Sequence, residues 1–282
     1  MKQIIILALL IVCCACSTPP KNPGEIDELR KRAEIQIDLG HKQASRGSLE
    51  AALLMFNEAL RLGTAADDTS LRIRAKLSIG NALLSLGRRE EAEQNWNEAL
   101  DEAKQERNNR LVAASRIHIG RGKLLGPGGK SVAQSVRDET HKDLAPIKSD
   151  KFYTAFAWTI IGLAEKELGR YADAEAAIRR SLRIHEKDRR FEMAAYDWFM
   201  IASFRSLSGN YAGARQALEK AITFDRRVEN SWGLASDWRA LGDVQKKAGD
   251  RESARSAYTR AAEIFDSLGN HEAAEETRAK IE

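Results

Sequence analysis

Cysteine is confined to the first 16 residues of this 282-residue chain, where Cys13, Cys14 and Cys16 are the only three. A disulfide framework, a cysteine-ligated metal site and a thiol nucleophile in the rest of the sequence are thereby excluded. Proline is also scarce: there are five, and three of them are Pro19, Pro20 and Pro23. Six Val and nine Thr supply little strand-forming material, and aromatic residues make up only 6%. An all-α chain is therefore expected. Charge of one sign is missing too. The 45 basic and 41 acidic residues leave a net +4, with no basic tract of the kind that follows a phosphate backbone, so nucleic acid is not expected as a partner. The apolar run Ile4–Val12 is nine residues long, too short to cross a bilayer as a helix.

That run follows the basic start Met1-Lys2-Gln3 and precedes Cys13-Cys14-Ala15-Cys16-Ser17, the layout of an export signal. It resembles a bacterial lipoprotein signal, in which a Cys after a small residue is acylated and becomes the new N-terminus. The resemblance implies a signal peptide over residues 1–15 and lipidation, palmitate included, at Cys16, which follows Ala15. Cys14 and Cys13 are the alternatives, as is an ordinary cleaved signal, because Cys13 stands where the family usually has Leu. Residues 16–25 then form a Pro-rich, semi-extended tether. Several acyl chains would hold the body at the membrane durably, where a single chain holds only marginally. Ser17 after the lipidated Cys implies the outer membrane, facing the periplasm, rather than the inner one.

From residue 26 to residue 282 the chain repeats itself. An apolar residue followed by a very small one recurs as Leu39-Gly40, Ile79-Gly80, Ile119-Gly120, Ile161-Gly162, Ile201-Ala202 and Leu241-Gly242, at spacings of 40, 40, 42, 40 and 40. A second Gly follows in five copies (Gly47, Gly87, Gly169, Gly209, Gly249), with Pro127 in the third. Small residues such as Ala52 and Ala59, or Ala92 and Ala99, flank one larger residue: Phe56, Trp96, Ile178, Leu218 or Tyr258. Gly in mid-helix costs ~1 kcal/mol against Ala, so its recurrence at one phase signals close approach. The second Gly suits a helix end. Each unit is thus a helix, a tight turn and a helix, completed by stacking on its neighbours.

This pattern resembles the tetratricopeptide repeat, with Trp158, Trp198 and Trp238 three residues before the marker in the last three copies. The period is 40 rather than the usual 34, and the closing Pro is absent. The resemblance implies an all-α solenoid of about six repeats. Over about residues 113–150 the third is degenerate, offering Val132, Val136 and Glu139 where the others have Ala, a knob and Ala. The polar segment after Asn270 is expected to cap the far end. It also implies a concave groove lined by the first helix of each unit, with Asn81, Arg121, Phe156, Thr159, Leu163, Tyr196, Phe199, Ser203, Arg239 and Asp243 as partner-binding residues. Aromatic groups in the middle and basic and amide groups at the ends suit a protein or peptide.

No catalytic constellation is visible. Gly129-Lys130-Ser131 lacks the Gly that a phosphate loop needs at position 124, which is Leu, and no strand is expected before it. A nucleotide is therefore not expected, nor is any other cofactor. The five His (41, 118, 141, 185, 271) show no metal-binding spacing and read as scattered surface residues, so no metal site is expected. The sequence thus suggests a membrane-anchored, non-enzymatic scaffold in the cell envelope. Two alternatives stand beside it: an assembly factor similar to the pilotin lipoproteins, and a regulatory subunit that recruits a cell-wall enzyme or carbohydrate.

Overall fold

The structure, a computed structural model, describes residues 24–281. The expected signal peptide, Cys16 and most of the tether lie outside the described residues. Among those residues the chain forms thirteen α-helices and no strand. They run as pairs: α1 (Glu25–Ser45) with α2 (Leu49–Ala65), α3 (Thr69–Ser85) with α4 (Arg89–Gln105), and α5 (Asn109–Leu124) with α6 (Gly129–Ile147). Next come α7 (Lys151–Glu167) with α8 (Tyr171–Lys187), α9 (Phe191–Leu207) with α10 (Tyr211–Arg227), and α11 (Ser231–Lys247) with α12 (Arg251–Ser267). The short α13 (His271–Arg278) closes the stack, and the Asn270 side chain caps it by accepting from the Ala273 amide at 3.0 Å. No helix among the described residues is long and apolar enough to cross a membrane.

Two 17-residue helices and two three-residue turns make up the 40-residue period. The two kinds of turn differ in chemistry. Within a pair, a Gly such as Gly87 takes the left-handed conformation, at φ 77°. Between pairs the same conformation falls to Asp67, Arg107, Arg189 and Glu229, at φ 49–56°, and an Asn or Asp often follows as N-cap. Asp68, Asn108 and Asn230 accept from the amides of Leu71, Leu111 and Gly233 respectively, three residues into their own helices, at 3.0–3.2 Å, which satisfies one of the unpaired helix-end donors.

The small marker residue seats the knob of its partner helix. A Cβ on Gly80 would overlap the buried Trp96 ring, and one on Gly242 would lie 2.6 Å from the Tyr258 ring. At Gly162 the neighbour is the smaller Ile178, at 2.9 Å. In repeat five the corresponding residues, Leu218 and Ala202, are both buried. Gly at the marker thus admits knobs from Ile178 to Trp96 at close approach, as close packing requires.

The third unit is better packed than its sequence suggests. Its small positions are not missing but displaced: Ala133, Val136 and Thr140 are buried, whereas Val132 is half-buried and Glu139 exposed. The cause is local. α5 stops at Leu124, four residues form the turn, and α6 runs for 19 residues with Pro146 inside its last stretch. The longer turn and helix account for the two extra residues and shift the small positions by one.

A continuous core runs between the two helix layers from α2 to α12, and separate clusters serve the ends, around Ala33, Ile37 and Leu71 and around Ala261, Phe265 and Ala274. The winding also brings the first unit onto later ones. The His41 ring lies 5.5 Å from that of Phe152 at the start of α7. Gly47, in the α1–α2 turn, sits against the Trp232 indole at the start of α11, where an added Cβ would come within 2.7 Å. The first pair therefore meets the N-terminal ends of α7 and α11, through His41 and through its turn.

Candidate binding groove

The residue after each marker falls at one phase of the first helix of each pair, which gives the series His41, Asn81, Arg121, Leu163, Ser203 and Asp243. Near the middle, three of the expected residues come together. The Asn81 Oδ1 accepts from Arg121 Nη1 at 3.4 Å and lies 3.0 Å from His118 Nδ1. An accepting oxygen there puts the imidazole proton on Nδ1. The other ring nitrogen, Nε2, is buried without a partner. Phe156 stacks on His118 with ring centroids 4.4 Å apart. Beside it on α9, Tyr196 is 47% exposed and lies nearly parallel to Phe199, at 6.5 Å.

Three arginines, Arg74, Arg121 and Arg190, act on the histidines here. Half-buried Arg121 has no carboxylate within ion-pair distance among the described residues. Burial lowers its pKa and also raises that of the Tyr196 phenol, which Arg121 partly offsets. His41 is pushed down to about 4 by burial, then by Arg74 and Arg190. His118 falls to about 3 through burial, Arg121 and His41. Both imidazoles are therefore neutral at physiological pH.

The remaining expected residues are placed differently. Thr159 is buried and its hydroxyl donates to the Ala155 carbonyl at 3.3 Å, so it packs inside the α7–α8 pair. Leu163 is covered as well, and Ser203 is half-buried. Arg239 faces Glu276 of α13 at 3.7 Å and stacks over Phe265. Asp243 accepts from the Tyr258 hydroxyl at 2.8 Å and pairs with Lys280 at 2.7 Å. The last unit and its cap thus occupy both. Of the expected set, Asn81, Arg121, Phe156 and Phe199 are half-buried without being taken up by the last unit, and Tyr196 is exposed.

The histidines correct a sequence expectation, because His118 and His185 are buried rather than on the surface. His185 Nδ1 lies 2.6 Å from Asp197 Oδ2, across the α8–α9 junction. Forty residues on, at the same phase, Asp225 and Asp237 are both buried, and Asn230 donates to Asp225 Oδ1 at 3.0 Å. Burial raises the pKa of both; Asp225 raises that of Asp237 further, whereas Asn230 and Asp237 partly offset the rise at Asp225. The 40-residue spacing of these pairs was visible in the sequence, but not that this phase faces the next unit. Trp158, Trp198 and Trp238 are half-buried between helices, and Arg180 covers the Trp158 ring at 4.3 Å. Among the described residues no group of three His, Cys, Asp or Glu could hold a metal ion.

Residues 157–188 and 198–227 match the family model described as "Tetratricopeptide repeat". The fold is a tetratricopeptide-repeat solenoid. Among solved structures, a Rap protein complexed with Competence and Sporulation Factor is 14% identical; the match covers 91% of this chain and 77% of that one, with a TM-score of 0.59. BtubC from P. vanneervenii is 13% identical, over 88% of this chain and 93% of its own, at 0.58. PilW, described as a widely conserved type IV pilus biogenesis factor, is 17% identical, over 86% and 96%, at 0.53. No curated protein sequence matches the chain. The two matched segments hold most of α7–α8 and α9–α10, the tetratricopeptide units that carry Phe199 and flank Phe156 and Tyr196.

Proposed function

We propose that the protein is a non-enzymatic scaffold, lipid-anchored through Cys16 at the outer membrane, that offers its groove to a protein partner in the cell envelope. The observation that carries the reading is the Tyr196–Phe199 stack. Large aromatic groups half-exposed together on an inner face, next to Phe156 and an unpaired arginine, are the elements from which binding hot spots are made. The export signal, Ala15-Cys16-Ser17 and the Pro-rich tether support the anchoring. A second reading, an assembly factor for an envelope pilus machine, draws on the fold shared with PilW.

Crosslinking and capture from membranes, followed by mass spectrometry, test the groove. Tyr196→Ala with Phe199→Ala is expected to lower recovery of the partner at least thirtyfold, since truncating a hot-spot aromatic costs ~2 kcal/mol or more, while the helical circular-dichroism signal persists. A folded double variant that still captures the same partner would place binding elsewhere. Cys16→Ser is expected to move the protein to the soluble fraction; a variant that still sediments with membranes refutes the anchor.

A further inference from the structure

The Arg121 guanidinium is half-buried, with one long hydrogen bond, to Asn81 Oδ1 at 3.4 Å, and no carboxylate partner among the described residues. A buried charge that is not paired is costly. Three carboxylates on first helices are engaged elsewhere: Glu34 by Arg74, Asp197 by His185 and Asp243 by Lys280. Nor do the histidines supply a counter-charge. What remains is a cation with the Asn81 amide on one side and the Tyr196 phenol close enough to feel its charge, Phe199 lying parallel to that ring and Phe156 stacking on the His118 that shares the Asn81 oxygen.

We infer that Arg121 is the seat of a side-chain carboxylate, from an Asp or Glu next to an aromatic or aliphatic residue in an extended segment of the partner protein. The inference rests on the groove reading above and names the chemistry that the groove selects. A guanidinium offers a carboxylate two parallel N–H donors, and such charge-assisted pairs are about twice as strong as neutral ones. The source is a side chain rather than a chain end because the surface continues on both sides of Arg121. Asn81 and His41 lie on the earlier helices, and Phe156, Tyr196 and Phe199 on the later ones. A segment crossing these helices passes over Arg121 and does not stop there. The neutrality of His41 and His118, held down in part by the nearby arginines, fits a site whose positive field awaits an anion.

Selection from a random heptapeptide library tests this, with the peptides fused at their C-termini so that only side-chain carboxylates are available, and the full-length protein as bait. The wild type is expected to enrich Asp or Glu at one position beside an apolar residue. Arg121→Gln is expected to lose the acidic preference and keep the apolar one, with an unchanged circular-dichroism spectrum. For a selected peptide made synthetically, Glu→Gln is expected to weaken binding to the wild type at least tenfold and to Arg121→Gln less than twofold. Apolar sequences enriched without an acid would overturn the inference and leave the groove reading standing, as would an acidic preference that survives in Arg121→Gln. Tighter binding of a Gln peptide with a free C-terminus than of its amidated Glu counterpart would assign the site to chain ends and overturn it. If the wild type enriches nothing above background, both the inference and the groove reading fall.

Discussion

Gly80 shows how far one residue's size decides the packing of a unit. The Trp96 ring that faces it is fully buried and held in place by its Nε1, which donates to the Leu77 carbonyl at 3.2 Å. Gly80→Ala gains helix propensity of ~1 kcal/mol but forces a methyl group into a ring that cannot turn aside, and overpacking of this kind costs ~1–3 kcal/mol. A net loss of stability is expected. Gly120→Ala places its methyl 3.0 Å from a Val136 methyl, a contact the displaced third unit relieves with a small shift. There the propensity gain is expected to dominate, leaving stability unchanged or raised. Urea midpoints of the two variants check the contrast; equal losses at both sites would mean that the facing side chain is not the cause.

At the scale of the helices and their junctions, the turns between pairs carry strain that the turns within pairs avoid. Arg107 holds φ 52° with an exposed side chain that makes no ion pair among the described residues. A non-glycine residue in this region costs ~1–2 kcal/mol, and part of any gain from glycine is lost to its freer unfolded chain. Arg107→Gly is therefore expected to raise stability by about 0.5–1 kcal/mol, read as a higher urea midpoint with an unchanged slope.

The junction of α10 and α11 makes a pH prediction. Burial raises Asp225 to about 6 and Asp237 to about 9, and Glu192 adds to the rise at Asp225. Folded-state values above the unfolded 3.8 mean that the pair's contribution is fully present below about 4 and is lost as pH rises through the folded values. Asp237→Asn removes that loss. Relative to the wild type, its melting temperature is expected to climb between pH 5 and pH 9, about the window those two values span. A constant difference across that range would show that Asp237 is not held protonated at the junction.

For the molecule as a whole, the contact of the α1–α2 turn with Trp232 joins the first unit to the sixth, while Trp232 also packs edge-on against Phe265 at 5.3 Å. Trp232→Ala is expected to release the first pair and leave the middle units intact. Amide exchange of α1 and α2 should then quicken while that of α3–α10 stays within twofold. Unchanged exchange in α1 would show that the first pair is held by its neighbour α3 alone.

Much of this molecule is determined over short stretches of sequence. Helix length, the turn between helices and the knob facing each marker depend on residues within about one period, so a repeat read from Gly40, Gly80 and Gly242 carried the all-α stack without coordinates. The groove's phase was legible too, because a helix places Asn81 and Arg121 on the same face wherever that helix lies. Only the tertiary structure decided which of those positions remain open. Thr159 is used up inside its own helix pair, Arg239 and Asp243 are engaged by α13 and its neighbours, and His118 is buried under Phe156. The span of the first unit to Trp232 likewise arises from a small rotation repeated at every junction. No single junction encodes its sum, and a change of two residues in the third unit alters where the ends meet.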